Sequence, residues 1–187
     1  MKNALMRGAD LIGHPVVDLR NGEDVAEVRD VIFDPTDGRL SGFTLNKRGR
    51  WAGRLDAVLA ITGVSSVGSG AVMVDGFDPS AEPAEGPNDV EDAETADREV
   101  VDDLVVTESG RTLGTVIDVV IVGGVSPRVV AFEIDGGEVG GGFIPLTNNR
   151  GVSGSALVVP DEYEGRLRND LTGLADQIDE LGEKENS

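Results

Sequence analysis

The feature that most narrows what this 187-residue chain can fold into is that it repeats itself. Gly22-Glu23-Asp24-Val25-Ala26-Glu27-Val28-Arg29-Asp30-Val31-Ile32 aligns with Gly110-Arg111-Thr112-Leu113-Gly114-Thr115-Val116-Ile117-Asp118-Val119-Val120 at an offset of 88. Arg39-Leu40-Ser41-Gly42-Phe43-Thr44-Leu45 then aligns with Arg128-Val129-Val130-Ala131-Phe132-Glu133-Ile134 at 89, and Gly70-Ala71-Val72-Met73-Val74 with Ser155-Ala156-Leu157-Val158-Val159 at 85. The offset changes only in turns. Turns tolerate length changes and packed strands do not, so this is how two copies of one scaffold diverge.

Each copy reads as short strands punctuated by turns. Strands are predicted at 15–19, 25–33, 39–46, 54–61 and 64–75, and again at 103–107, 113–122, 128–135, 142–146 and 151–159. Asn21-Gly22 and Ser109-Gly110 are hairpin turns, and Asp34-Pro35-Thr36-Asp37-Gly38 is a turn in which proline presets φ and Gly38 takes the left-handed position. Short strands at such spacing predict small closed barrels, which leave no open edge. The expected organisation is all-β: copy one over 8–76, an acidic linker over 77–100, copy two over 101–160, a C-terminal amphipathic helix over 161–182, and a fraying tail over 183–187. The linker holds Pro79, Pro83 and Pro87 and is dominated by carboxylates, so it is expected to be disordered or extended. The helix is read from Leu167, Leu171, Leu174, Ile178 and Leu181, whose spacing of three and four places them on one face.

The net charge of −19 is uneven. Residues 1–75 carry 9 basic and 10 acidic side chains, whereas 76–187 carry 7 and 25. Such a field disfavours nucleic acid and anionic membrane and favours cationic partners. There is no cysteine, hence no disulfide or thiolate chemistry. No secretory signal pattern opens the chain, and no apolar run approaches the ~20 residues of a membrane span, so a cytoplasmic location is expected.

Both copies resemble the PRC-barrel family, named for the photosynthetic reaction centre H subunit and also found in a ribosome-maturation factor. The resemblance rests on Ile12-Gly13-His14-Pro15-Val16-Val17-Asp18, Val28-Arg29-Asp30-Val31-Ile32-Phe33-Asp34, Gly38-Arg39-Leu40-Ser41-Gly42-Phe43 and Val67-Gly68-Ser69-Gly70-Ala71-Val72-Met73-Val74 in copy one. In copy two it rests on Gly110 through Val119 and on Phe143-Ile144-Pro145-Leu146. Copy one departs at Ala26, where the pattern has a second glycine, and at Ala60, where copy two has Pro145; copy two replaces the proline turn by Gly123-Gly124-Val125-Ser126-Pro127. The resemblance implies a small β-barrel used as an adaptor for protein or ribonucleoprotein, with no shared catalytic residues.

Candidate sites are few. His14 is the only histidine, too little for a zinc site or a catalytic relay without cysteine or a second imidazole. Asp30 and Asp118 recur at one strand position and are read as structural, together with Gly22, Gly38, Gly110 and Gly114. The run Gly136 to Gly142 lacks the Gly-Lys-Ser/Thr ending of a phosphate loop. Lys47, Arg48, Arg50 and Arg54 surround Trp51, a cluster that can meet an acidic partner or the chain's own acids. Strand 116–122 is apolar at both parities, so its outer face is expected to have a cover: the tail helix, the other copy or a second chain. The function expected is a non-catalytic adaptor with protein partners, homodimerisation being one option, and with no cofactor or metal. The alternative is a ribosome- or RNA-associated factor, on fold analogy alone. Prime contact candidates are the basic loop and the leucine stripe.

Overall fold

A computed structural model describes residues 4–34, 38–48, 53–78, 100–136, 140–146, 151–153, 156–176 and 178. Most of the expected linker and the end of the tail lie outside these residues. The chain divides into two compact units. Unit 1 comprises Met1–Asp34, Arg39–Arg98 and Ile121–Arg128; unit 2 comprises Pro35–Gly38, Glu99–Val120 and Val129–Ser187. The strands are β1 (Leu5–Arg7), β2 (Pro15–Asp18), β3 (Asp24–Phe33), β4 (Leu40–Asn46), β5 (Arg54–Ala60), β6 (Val64–Val67), β7 (Val72–Val74), β8 (Leu104–Thr107), β9 (Thr112–Val122), β10 (Arg128–Gly136), β11 (Gly142–Pro145), β12 (Gly151–Ser153) and β13 (Ala156–Val159). A one-turn helix, α1 (Gly8–Leu11), follows β1.

One sheet runs β5-β4-β3-β2-β7-β6 and the other β11-β10-β9-β8-β13-β12, with β1 pairing β9 off that path. Strand for strand the order is the same. In each sheet the first strand pairs in parallel with the last, Val16 with Val72 and Val105 with Leu157, among otherwise antiparallel neighbours. The closed barrels expected from sequence are not formed: among the described residues the ladders leave β5 and β6, and β11 and β12, at the ends of their paths. In unit 1 the 3-10 turn Ile61–Gly63 joins β5 to β6 through the chain rather than through a ladder.

The strands predicted at 64–75 and 151–159 are each two strands, β6 with β7 and β12 with β13. In unit 1 the cause is Gly68-Ser69-Gly70, where the Gly68 amide donates to Ala71 O at 2.9 Å and reverses the chain. β1 and α1 have no counterpart in the sequence reading. Within unit 1, the Gly123 amide donates to Ala4 O at 3.1 Å, and the Val67 and Gly124 amides each donate to the other residue's carbonyl.

The opening turn is repeated in atomic detail. In unit 1 His14 N donates to Leu11 O, Gly13 N to Val28 O, and Val28 N to His14 O. In unit 2 Asp103 N donates to Val100 O, Asp102 N to Val116 O, and Val116 N to Asp103 O. This is a type II turn whose third residue is also the left-handed residue of a β-bulge, with φ +82 at Gly13. Unit 2 puts Asp102 there at φ +75, the only non-glycine at positive φ among the described residues. Aspartate tolerates that region better than most side chains. Gly114 answers a different demand: a Cβ there would meet Asp135 O at 2.0 Å. Ala26, at the matching position of unit 1, is fully buried.

Unit 1 is built on Leu11, Val16, Val28, Phe43, Leu45 and Leu59, all 1% exposed or less. Unit 2 is built on Leu113, Val116, Phe132, Ile134, Ile144 and Leu157, with Tyr163 and Leu174 contributed by the tail. The single helix expected over 161–182 is instead a 3-10 turn, Asp161–Arg166, then extended chain at Leu167, then helix at 171–176. Two contacts interrupt it. Phe143 N donates to Arg168 O at 2.7 Å and Arg168 N to Phe143 O at 3.2 Å, fixing Arg168 as a strand residue. The Asp170 carboxylate then accepts the Gly173 amide at 2.7 Å and starts a new helix as its N-cap.

Tyr163→Ala and Leu174→Ala are expected to cost about 2 to 5 kcal/mol each in denaturant unfolding, as buried truncations do. Deleting 161–187 should then lower the melting temperature sharply. Asp102→Gly is expected to hold or raise stability by up to about 1 kcal/mol. Gly13→Ala, where a Cβ meets nothing within 4 Å, should cost about 1 kcal/mol through backbone strain alone.

Candidate interaction surfaces

The basic loop of unit 1 is only partly available to a partner. Lys47 is exposed and its backbone amide donates to Gly53 O at 3.0 Å. Arg48 is held by the chain's own acids: its guanidinium pairs with Asp24 and with Glu27 on β3. Of the two options read from sequence, an acidic partner or the chain's own acids, these ion pairs are of the second kind. Burial raises the Asp24 pKa, Arg48 opposes the rise, and Glu27 adds to it. Asp24 Oδ1 is buried without a hydrogen-bond partner, so the Arg48 ion pair is what compensates this carboxylate. Arg54 opens β5 opposite Asn46. Arg50 and Trp51 lie outside the described residues.

The leucine stripe is partly packed in cis. Leu174 is fully buried in unit 2, and Leu167, Leu171 and Ile178 are half-buried; Leu181 lies outside the described residues. The 3-10 turn before them is anchored on the β8–β9 hairpin. Asp161 accepts the Ser109 amide at 3.0 Å, and Arg111 pairs with Glu164 at 2.8 Å. The Ser109 hydroxyl and amide, then the Thr107 hydroxyl, lower the Asp161 pKa against the smaller effect of burial. Asp30 and Asp118 act alike: each carboxylate accepts the next residue's amide, from Val31 at 2.8 Å and from Val119 at 2.7 Å. In unit 1 this sits at the register shift between Val28 and Asp30. Gly22 and Gly110 close the matching hairpins, their amides donating to Asp18 O and Thr107 O. Gly38 lies against Val129, whose amide donates to its carbonyl at 2.9 Å. His14 Nε2 lies 2.9 Å from Ser69 O, tying the opening turn to the β6–β7 hairpin. The glycine run has residues 137–139 outside the described set, and Gly142 begins β11.

The sequence reading passed over Asp18. Its side chain is 3% exposed. It accepts the Arg20 amide at 2.9 Å, Arg20 Nη2 at 2.9 Å and the Gly76 amide at 3.2 Å. The Arg20 side chain and amide, with help from Gly76, hold its pKa at about 2. The signal was present: in a β2 strand of alternating burial, an aspartate falls on the inward parity beside a turn arginine.

The outer faces of the two sheets differ most. In unit 2 alternation turns Leu104 and Val106 of β8, and Ala156 and Val158 of β13, away from the core; Leu104 pairs with Ala156 and with Thr115 of β9. Two residues along β9, Ile117 shares that face. It is 46% exposed, Leu104 41%, and Val101 in the adjoining turn 45%. The repeat alignment places Glu27 and Arg29 at the positions of Thr115 and Ile117, and Pro15 opposite Glu27 where Leu104 stands opposite Thr115. The two faces therefore differ at these positions, Glu27 and Arg29 in unit 1 against Thr115 and Ile117 in unit 2, while Pro15, Val17 and Met73 are apolar where Leu104, Val106 and Val158 stand. The expected cover on strand 116–122 exists over Val119, Val120 and Ile121, all buried, and not at Ile117.

These features meet a known pattern. Residues 4–78 match the PRC-barrel domain. The match spans the opening turn, the Asp18 anchor and all of β2 to β7. No curated protein matches the chain. The PRC-barrel match supports a small β module of the interaction kind. No group of three or more histidine, cysteine or carboxylate side chains is arranged for a metal among the described residues, and no described helix is long and apolar enough to cross a membrane.

Asp18→Asn should destabilise the protein at neutral pH. The folded-state pKa is depressed from 3.8 to about 2, so the stability that Asp18 contributes is complete above the ordinary value and fades as pH falls toward 2. The gap in unfolding free energy between wild type and variant should therefore close across that window. A pH-independent gap would refute the assignment.

Proposed function

We propose that the chain is a non-catalytic, protein-binding adaptor made of two PRC-type modules, unit 2 being the second copy. Support comes chiefly from one observation: two sheets of identical strand order and opening turn carry different outer faces. A duplicated scaffold keeps its core positions under packing constraint, while its exposed positions are free to diverge toward separate partners. Two binding surfaces on one chain also raise effective affinity wherever both are engaged at once. The work of the polar groups described above is internal. Asp18, Arg20, Asp24, Arg48, Asp161 and Arg111 all close hydrogen bonds or ion pairs within their own unit. In unit 2 the exposed apolar side chains Val101, Leu104 and Ile117 gather about one sheet face.

The reading is tested by purifying the tagged chain from native lysate with and without nuclease. A defined protein partner that persists after nuclease supports it. Recovery of ribosomal RNA and protein that nuclease abolishes would replace it with the ribosome-associated alternative. Clean protein in both preparations would overturn it.

A further inference from the structure

We propose that the outer face of β9, β8 and β13 in unit 2 docks a cationic protein segment with an apolar face, an inference that rests on the binding-module reading. Leu104, Ile117, Val106 and Val158 present hydrocarbon to water, with Thr115 the one hydroxyl among them. Exposed apolar groups gathered on one sheet face mark a contact surface, whereas isolated ones need no explanation. The fold does not require Ile117, although Pro15, Val17 and Met73 keep the positions of Leu104, Val106 and Val158 apolar in unit 1. Unit 1 forms the same ladder with Arg29 and Glu27 at the positions of Ile117 and Thr115. Val101 in the adjoining turn is 45% exposed, as its counterpart Ile12 in unit 1 is at 54%, so the turn places an apolar side chain at the edge of the face in both units.

Charge selects the occupant. Exposed Asp102 follows Val101 at the rim, and residues 101–160 hold seven acids against three bases. One of those bases, Arg111, is paired with Glu164. A second copy of the chain would set this acidic rim against itself. A segment bearing lysine or arginine around apolar side chains satisfies both the rim and the face, because complementary potential steers encounter and penalises like-charged competitors.

The test uses the full chain and a fluorescent peptide of alternating leucine and lysine, with a leucine–glutamate peptide as comparison, by anisotropy at physiological salt. The leucine–lysine peptide is expected to bind and the leucine–glutamate peptide not to. Leu104→Ser with Ile117→Ser should weaken binding at least about tenfold, while Val17→Ser on the matching face of unit 1 leaves it unchanged. Ile117→Arg, which copies the residue unit 1 already carries, provides a second variant, and melting curves verify that each folds. Equal binding by the serine variants would mean bulk charge attraction and would overturn the proposal. So would a dimer in light scattering that Ile117→Arg dissolves, which would make a second copy the occupant. A lysate partner that survives Ile117→Arg would also overturn it while leaving the adaptor reading intact.

Discussion

The parallel pairing of the first strand of each repeat with its last is the constraint on which the rest of the structure depends. Val16 beside Val72, and Val105 beside Leu157, are contacts between residues more than fifty positions apart. No turn can make them; the chain must travel out through three antiparallel strands and return. Once that pairing is set, the middle strands are buried on their inward parity. The opening turn is then locked against the second long strand through Gly13 and Asp102. Asp18 shows how the constraint is reinforced in unit 1. One buried carboxylate ties the end of β2 to Arg20 in the next turn and to Gly76 just past β7. In unit 2 Thr107 stands at the same place, its hydroxyl accepting the Arg111 amide at 3.2 Å. A charged anchor and a neutral one thus serve equivalent positions.

Beyond that shared frame the two units stabilise themselves differently. A domain of this size buries too little surface to be robust alone, and unit 2 enlarges its core with Tyr163 and Leu174 from the tail. The tail therefore packs part of its apolar side chains in cis, through Tyr163 and Leu174. Leu174 is buried in the unit, and Asp161 and Glu164 meet Ser109 and Arg111 of the β8–β9 hairpin. In unit 1 the acids of β3 hold Arg48 in the same way. Residues that look like interaction handles in a linear reading are often those whose partners lie on a neighbouring strand. On the outer face of unit 2, Leu104 and Ile117 remain exposed.

Much of this was legible in one dimension. Nearly every strand centre follows from turn glycines and period-two alternation, because those are local demands of backbone geometry and side-chain parity. The structural role of Asp30 and Asp118 is local too, a carboxylate reaching the next amide. The division of 64–75 and of 151–159 into hairpins was within reach, since Gly68-Ser69-Gly70 is itself a turn signal. So was the broken tail, since Asn169-Asp170 before Leu171 marks a fresh helix start.

Other features needed three dimensions. Whether the ladders close is set by strands far apart in sequence, and here β5 and β6, and β11 and β12, remain path ends. The buried anchor at Asp18 depends on Gly76, and the loss of Arg48 to Asp24 and Glu27 depends on β3 lying beside β4. The sequence by itself determined the strand centres and their turns, because these arise from contacts a few residues apart. Only the tertiary structure decided which polar groups are spent internally and which apolar face stays exposed, because those outcomes depend on which distant strands become neighbours.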